Sequence, residues 1–452
     1  MEEKKRDNLL KGSVLRSILL LSIPIIFANF LQTIYQLIDT FWVGRLGTEA
    51  VAAVSLSFPL LFFLTSFATG FATAGAILIA QYNGKKDSEN VFLTTGQTVV
   101  FISIFAVIVS IIGYFSSGFL LSFLTKDAFV LEQATSYLQI LFLSIFALFI
   151  FNIFQSSMRS VGEVKFPMIV VLVTVILNFF LDPLFMFGWK FIPEMGVPGV
   201  ALATLVTQYL SAMIGVVILV KGNYGVKLRL KDLKPRKSWA KRLFKLGFPS
   251  SIEISSRAFG MVIMTFVVSI FGTLAVAAYG IGTRVLMFVI IPAVGLSISI
   301  SSLVGNNLGA RQYKRTEKIV KTGLYLGFFT LVAAGILLFI FAKQVTQFFV
   351  PNEPELISMA TLFIRIMALS FGFIGFQMTI IGTLKAAGKT TTSMFLALVH
   401  TFFLFVFSYL LAIIFGLKEL GIWIAYPSAN LMAILLAFYY YKKKDWLKER
   451  IV

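Results

Sequence analysis

Three acids lie well inside the apolar spans of this chain, away from their first turns: Asp39, Asp182 and Glu253. An ionised carboxylate at mid-bilayer costs about 2.5–3.5 kcal/mol even on insertion scales, so each needs a partner or a task. Asp39 closes a stripe in which Gln32, Tyr35, Gln36 and Asp39 follow i, i+3, i+4, i+7 spacing. Thr174, Asn178 and Asp182 are spaced by four. Each set therefore lies on one helix face. Two carboxylates sharing a poorly hydrated space repel each other, and loss of water penalises their charged forms, so proton uptake is one available switch. The same oxygens, with Asn178 and Thr204, are an alternative sodium site, because hard cations take oxygen ligands. The residues leave both open. Cysteine is absent and His400 is the single histidine, which excludes thiolate chemistry, disulfides and multi-histidine metal sites. No cofactor is expected.

The elements that must position these acids follow from composition. Of 452 residues, 58% are hydrophobic and 13% charged, with 49 Phe and a mean hydropathy of +0.91; soluble domains carry about 25% charged residues. An all-α, polytopic membrane protein is implied. Apolar runs long enough to cross roughly 30 Å of hydrocarbon fall near 13–44, 49–82, 91–124, 128–158, 165–188 and 197–220, then 242–271, 274–305, 317–348, 355–385, 390–416 and 419–441. Twelve helices result, each satisfying its own backbone hydrogen bonds in lipid.

The net charge is +19. Loops assigned alternately to the two sides place 31 Lys and Arg on one side and 5 on the other, with Arg257, Arg284 and Arg365 within spans. The positive-inside rule puts both termini in the cytoplasm. Nucleic-acid binding is then unnecessary as an explanation, and the basic loops hold orientation and touch anionic lipid.

An internal repeat divides the chain. VGRLGTEAVAA at 43–53 returns as VSIFGTLAVAA at 268–278, an offset of 225 that also aligns Pro24 with Pro249 and Gly84 with Gly309. At an offset of 226 the repeat continues through ATSYLQILFLS and ATLFIRIMALS and pairs Gly162 with Gly388. The expected domains are an N-terminal six-helix bundle over 1–221, a basic cytoplasmic linker over 222–241 and a C-terminal six-helix bundle over 242–452. Because six is even, the halves enter the membrane in the same orientation, as parallel repeats with a pseudo-two-fold axis along its normal. That architecture suits alternating access better than a channel or an enzyme.

The sequence resembles the multidrug and toxic compound extrusion (MATE) transporters over essentially its whole length. The resemblance rests on SIP followed by QLIDTFWVGRLG, on AVAAVSL, on SMRSVGEVKFP, on NFFLDPLF and on GVALATL. The first-half acids resemble the DinF-like branch. The resemblance implies the MATE fold and an exporter of organic, often cationic and amphipathic compounds, driven by inward flow of H+ or Na+, working as a monomer in the cell membrane. Alternatives from other classes are a lipid-linked precursor flippase, for which only three arginines lie within spans, and an intramembrane enzyme, for which no metal cluster, triad or ATP-binding loop is present.

Residue by residue, Asp39, Asn178 and Asp182 match the acid and amide positions of that branch, and Tyr35, Tyr137 and Thr204 match polar groups around them. Gln155 stands where an asparagine is usual. Gln36 and Thr174 complete the expected polar surround. Pro24 matches a proline associated with helix bending, and physically it removes a hydrogen bond inside the first span. At the repeat positions of Asp39 and Asp182 stand Met264 and Ser408, so the duplicated architecture does not need the acids. Glu253 precedes Arg257 by four residues, the favoured order for a helical ion pair, and the pair is read as structural because the tenth span carries no acid from Leu356 to Leu384. His400 is read as a packing histidine. Met264, Met287, Met378 and Phe371 belong to an apolar set suited to amphipathic cargo.

Overall fold

The computed structural model describes residues 2–448; the end of the basic tail, 449–452, lies outside it. Each apolar run is helical, as hydrocarbon demands of a backbone that must pair with itself. In order these are α1 (Glu2–Leu10), α2 (Val14–Val43), α3 (Thr48–Gly84), α4 (Ser88–Ser122), α5 (Ala128–Ser160), α6 (Lys165–Phe187) and α7 (Val197–Lys221). They continue as α8 (Lys237–Ser269), α9 (Thr273–Gly309), α10 (Tyr313–Phe349), α11 (Pro354–Ala368), α12 (Phe371–Ala386), α13 (Thr390–Tyr409), α14 (Lys418–Lys443) and the short α15 (Asp445–Lys448). Among the described residues 11 helices are long and apolar enough to cross a membrane, and 12 if α11 and α12 count as one span.

That last span is broken, not straight. α11 and α12 meet at a bend of 50°, and Ser370 at the break donates to Met367 O at 2.9 Å and accepts from Asn430 Nδ2 at 2.9 Å. The backbone interruption is thus lined by polar groups from α14, the condition under which irregular chain survives at membrane depth. α13 ends in a π-helical turn, Leu410–Ile414. Residues 237–241, expected in the linker, form the start of α8.

By its contacts the chain forms two units: Phe27–Ser251, and Asn8–Ile26 with the residues from Ile252 onward. Helix α2 runs on through Pro24, which lacks the N–H for one helical hydrogen bond, yet its two ends belong to different units, with the division two residues after the proline. In the first lobe α5 is central, packing on α3, α4 and α7, while α6 packs on α7. In the second, α12 packs on α9, α10 and α14, while α13 packs on α14. Shifted by the repeat offset, these are the same neighbours.

The repeat reaches backbone dihedrals. Gly47 (φ 108°) and its equivalent Gly272 (φ 95°) precede α3 and α9 in a conformation that L side chains rarely adopt. A Cβ at either would meet nothing within 4 Å, so the requirement is conformational. Close packing uses other glycines: a Cβ on Gly375 of α12 would lie 2.0 Å from Gly327 O of α10, the small-residue contact that lets membrane helices approach.

Within the first lobe the connector is pinned to α4. Gln97 Nε2 donates to Asp232 O (2.7 Å) and Lys234 O (2.8 Å), and its Oε1 accepts from Arg236 N (2.8 Å). Gly96 leaves room, since a Cβ there would come within 2.8 Å of Asp232. Arg229 joins Glu89 through two nitrogens (2.6 and 2.8 Å) and Asp232 through a third (2.5 Å). Those carboxylates hold the Arg229 proton more firmly than usual.

Candidate ion-coupling site

The acids of the first lobe meet. Helix α6 carries Asn178 and Asp182 one turn apart, both 0% exposed, and Asn178 Nδ2 donates to Asp182 Oδ1 at 2.9 Å. From α2, Asp39 comes close enough to interact with the side chains of Asp182, Asn178 and Thr204. Tyr35, one turn before Asp39, shares a 2.8 Å hydrogen bond between its hydroxyl and Thr207 Oγ1 of α7 and also lies near Thr204. Tyr137 of α5 is buried near enough for both carboxylates to act on its hydroxyl.

The hydrogen-bond inventory of this cluster does not close. Asp39 Oδ1, Asp182 Oδ2, Asn178 Oδ1 and Thr204 Oγ1 are all buried without a hydrogen-bond partner. Four neighbouring oxygens left without donors are unusual, since buried polar groups are nearly always paired. Three of them can only accept unless a carboxyl is protonated. The set therefore suits an added positive charge, a proton shared between carboxylates or a small cation among the oxygens.

Other predicted neighbours stand apart. Gln36 is exposed. Thr174, though buried, turns its hydroxyl back to Val170 O and Val171 O of its own helix (3.1 and 2.9 Å). Gln155 accepts from Arg159 Nη2 at 2.6 Å, and its own Nε2 is buried without a partner. Thr207 was not singled out from the sequence. Its signal was a stripe on α7, Thr204, Thr207 and Ser211, spaced to share a face.

Both lobes carry the repeat in their homology as well as their geometry. The MatE family model matches residues 24–184 and 249–414, two blocks that begin 225 residues apart. The chain belongs to the MatE family. Among the relatives of this MatE chain is the probable multidrug resistance protein YoeA of Bacillus subtilis, 29% identical over 98% of this chain and 96% of that one. The probable multidrug resistance protein NorM of Thermotoga maritima is 25% identical over 97% and 94%. Of solved structures, MATE in complex with MaL6 matches at a TM-score of 0.92, with 25% identity and 98% of each chain covered. An outward-facing MATE family transporter of the MOP superfamily matches at 0.91, with 25% identity and the same coverage.

The second lobe of this MatE chain treats its acid differently. Arg257 Nη2 lies 3.5 Å from Glu253 Oε1, as the i, i+4 spacing foretells, but Lys385 Nζ of α12 lies 2.7 Å from Glu253 Oε2. Lysine at the end of α12 is thus the nearer partner, and sequence distance concealed it. Glu253 is 3% exposed at its side chain, Lys385 14% and Arg257 33%. Arg257 Nη1 also reaches Met378 Sδ at 3.2 Å. His400 is satisfied by Asn430 Oδ1 at 3.0 Å, as a packing histidine would be. Met264, Met378 and Phe371, grouped above with cargo-lining residues, are buried in the lobe core, whereas Met287 is exposed.

Proposed function

We propose that this chain is a secondary exporter of the DinF-like type, carrying organic, often cationic and amphipathic compounds outward against H+ or Na+ by alternating access. The observation that carries the reading is the quartet of neighbouring buried oxygens on Asp39, Asn178, Asp182 and Thr204 that lack hydrogen-bond partners. Ion arrival removes the repulsion between two buried carboxylates, a large term where water is scarce, and so can bias one conformation over another. Export of drug-like compounds is supported by the names of relatives such as YoeA and the multidrug export protein MepA of Staphylococcus aureus. Tyr35 and Tyr137 then hold the carboxylates in place, and Pro24 supplies the bending point of α2.

In this reading both termini and the 222–241 connector face the cytoplasm, the first bundle (1–221) couples to the ion, the second spans 242–452, and the protein works as a monomer in the cell membrane. The basic loops support that orientation. The test is dye efflux from proteoliposomes under an imposed proton gradient or an imposed sodium gradient. Efflux should follow one of them and stop on its collapse; equal transport without any gradient would overturn the proposal.

A further inference from the structure

A groove of about 690 Å³ opens where α2 and α10 begin, lined by Gly12, Ser13, Val14, Leu15, Lys314, Arg315, Lys318 and Thr322. All of its walls belong to the second unit. Three are cations and none is an acid. The nearest acid on α10, Glu317, is engaged by Lys444 at 2.6 Å.

Arg315 is the informative residue. Its Nη2 reaches Leu9 O only at 3.5 Å, and its Nε is buried without a partner. A guanidinium nitrogen withdrawn from water and left unpaired is costly, and a phosphate oxygen is the acceptor that matches its geometry. The first turns of α2 and α10 add the positive ends of two helix dipoles. Ser13 adds a hydroxyl.

The groove is also amphipathic. Val14 and Leu15 form its other wall, and Leu15 and Leu19, one turn apart, are 47% and 39% exposed, so an apolar track leads from the groove along α2. Both helices start their apolar spans here, and the start of a span is where lipid headgroups lie. Free phosphate would use only the cations, whereas a phospholipid uses both walls.

We propose that this groove is a binding site for one anionic phospholipid, its phosphate held by Lys314, Arg315 and Lys318 and its acyl chain lying along Leu15 and Leu19. The site is independent of the coupling acids and of the transported compound.

The test is native mass spectrometry of the purified, delipidated full chain titrated with phosphatidylglycerol, phosphatidylcholine or sodium phosphate. One phosphatidylglycerol should bind with clear preference. K314Q/R315Q/K318Q should weaken it about 100-fold and K318Q alone about fivefold, from about 1 kcal/mol per cation near an anionic surface. K85Q/K241Q/K245Q, which removes as much charge from exposed positions elsewhere, should leave it unchanged. Equal loss in that control would mean a diffuse basic surface and overturn the proposal. So would equal binding of phosphatidylcholine, or displacement by millimolar phosphate. Because K318Q removes one exposed charge, it keeps the test valid should the triple variant fail to fold.

Discussion

In the second lobe Ser408 Oγ donates to Met264 Sδ at 3.7 Å, and these two residues occupy the repeat positions of Asp182 and Asp39. The duplicated frame therefore brings this pair of positions together in either lobe. In one lobe the pair is neutral and close-packed, with both residues buried; in the other it consists of two acids with unpaired oxygens. The frame supplies proximity, and the side chains decide what proximity is for.

The double variant Asp39→Met, Asp182→Ser copies the neutral pair into the first lobe. Exchanging buried charges for neutral groups is commonly neutral or stabilising, so it should insert, fold and melt within a few degrees of the parent. Gradient-driven efflux should fall at least about tenfold, as it should in Asp39→Asn or Asp182→Asn alone. Vesicle efflux beside a thermal melt checks both halves, and full transport by the double variant would remove the acids from the coupling step.

Asn178→Ala takes away the donor to Asp182 Oδ1 and one of the four free oxygens. Loss of a hydrogen bond that stabilises the empty, charged carboxylate is worth about 1.5 kcal/mol, so a coupling proton should half-saturate at an about tenfold lower concentration, whereas a sodium ion that uses Asn178 Oδ1 should need a higher one. Efflux measured against a graded ion gradient reads this directly. An unchanged midpoint would place the ion elsewhere.

Glu253→Gln leaves two cations without their carboxylate. Breaking a buried pair costs about 3–5 kcal/mol. Because Lys385 is nearer and more buried than Arg257, Glu253→Gln with Lys385→Met should recover most of the stability, and Glu253→Gln with Arg257→Met much less. Thermal denaturation of the three proteins ranks the partners. Equal rescue by both second changes would show that the 2.7 Å contact carries no special weight.

Gln97→Ala cuts three hydrogen bonds to the connector at once, at about 1 kcal/mol each. Trypsin should then cut the Lys- and Arg-rich segment 227–236 about 100-fold faster, while the helices stay intact. Cleavage at the parental rate would mean that Arg229 and its two carboxylates suffice to hold the strap.

Apolar run lengths determined the helices and the offset of 225 determined the repeat, because lipid allows a backbone few choices and a duplication preserves spacing. The polar stripe of α6 was equally legible, since i, i+4 neighbours meet on any helix, and Asn178 does bond Asp182. Three matters belonged to tertiary structure. Lys385 reaches Glu253 across more than a hundred residues of chain, so local periodicity offered only Arg257. The division of α2 near Pro24 depends on which neighbours each end of one helix packs against. The four unpartnered oxygens count as a site only after every donor around them is known, because a carboxylate's partners are set by the helices that surround it and not by the helix that carries it.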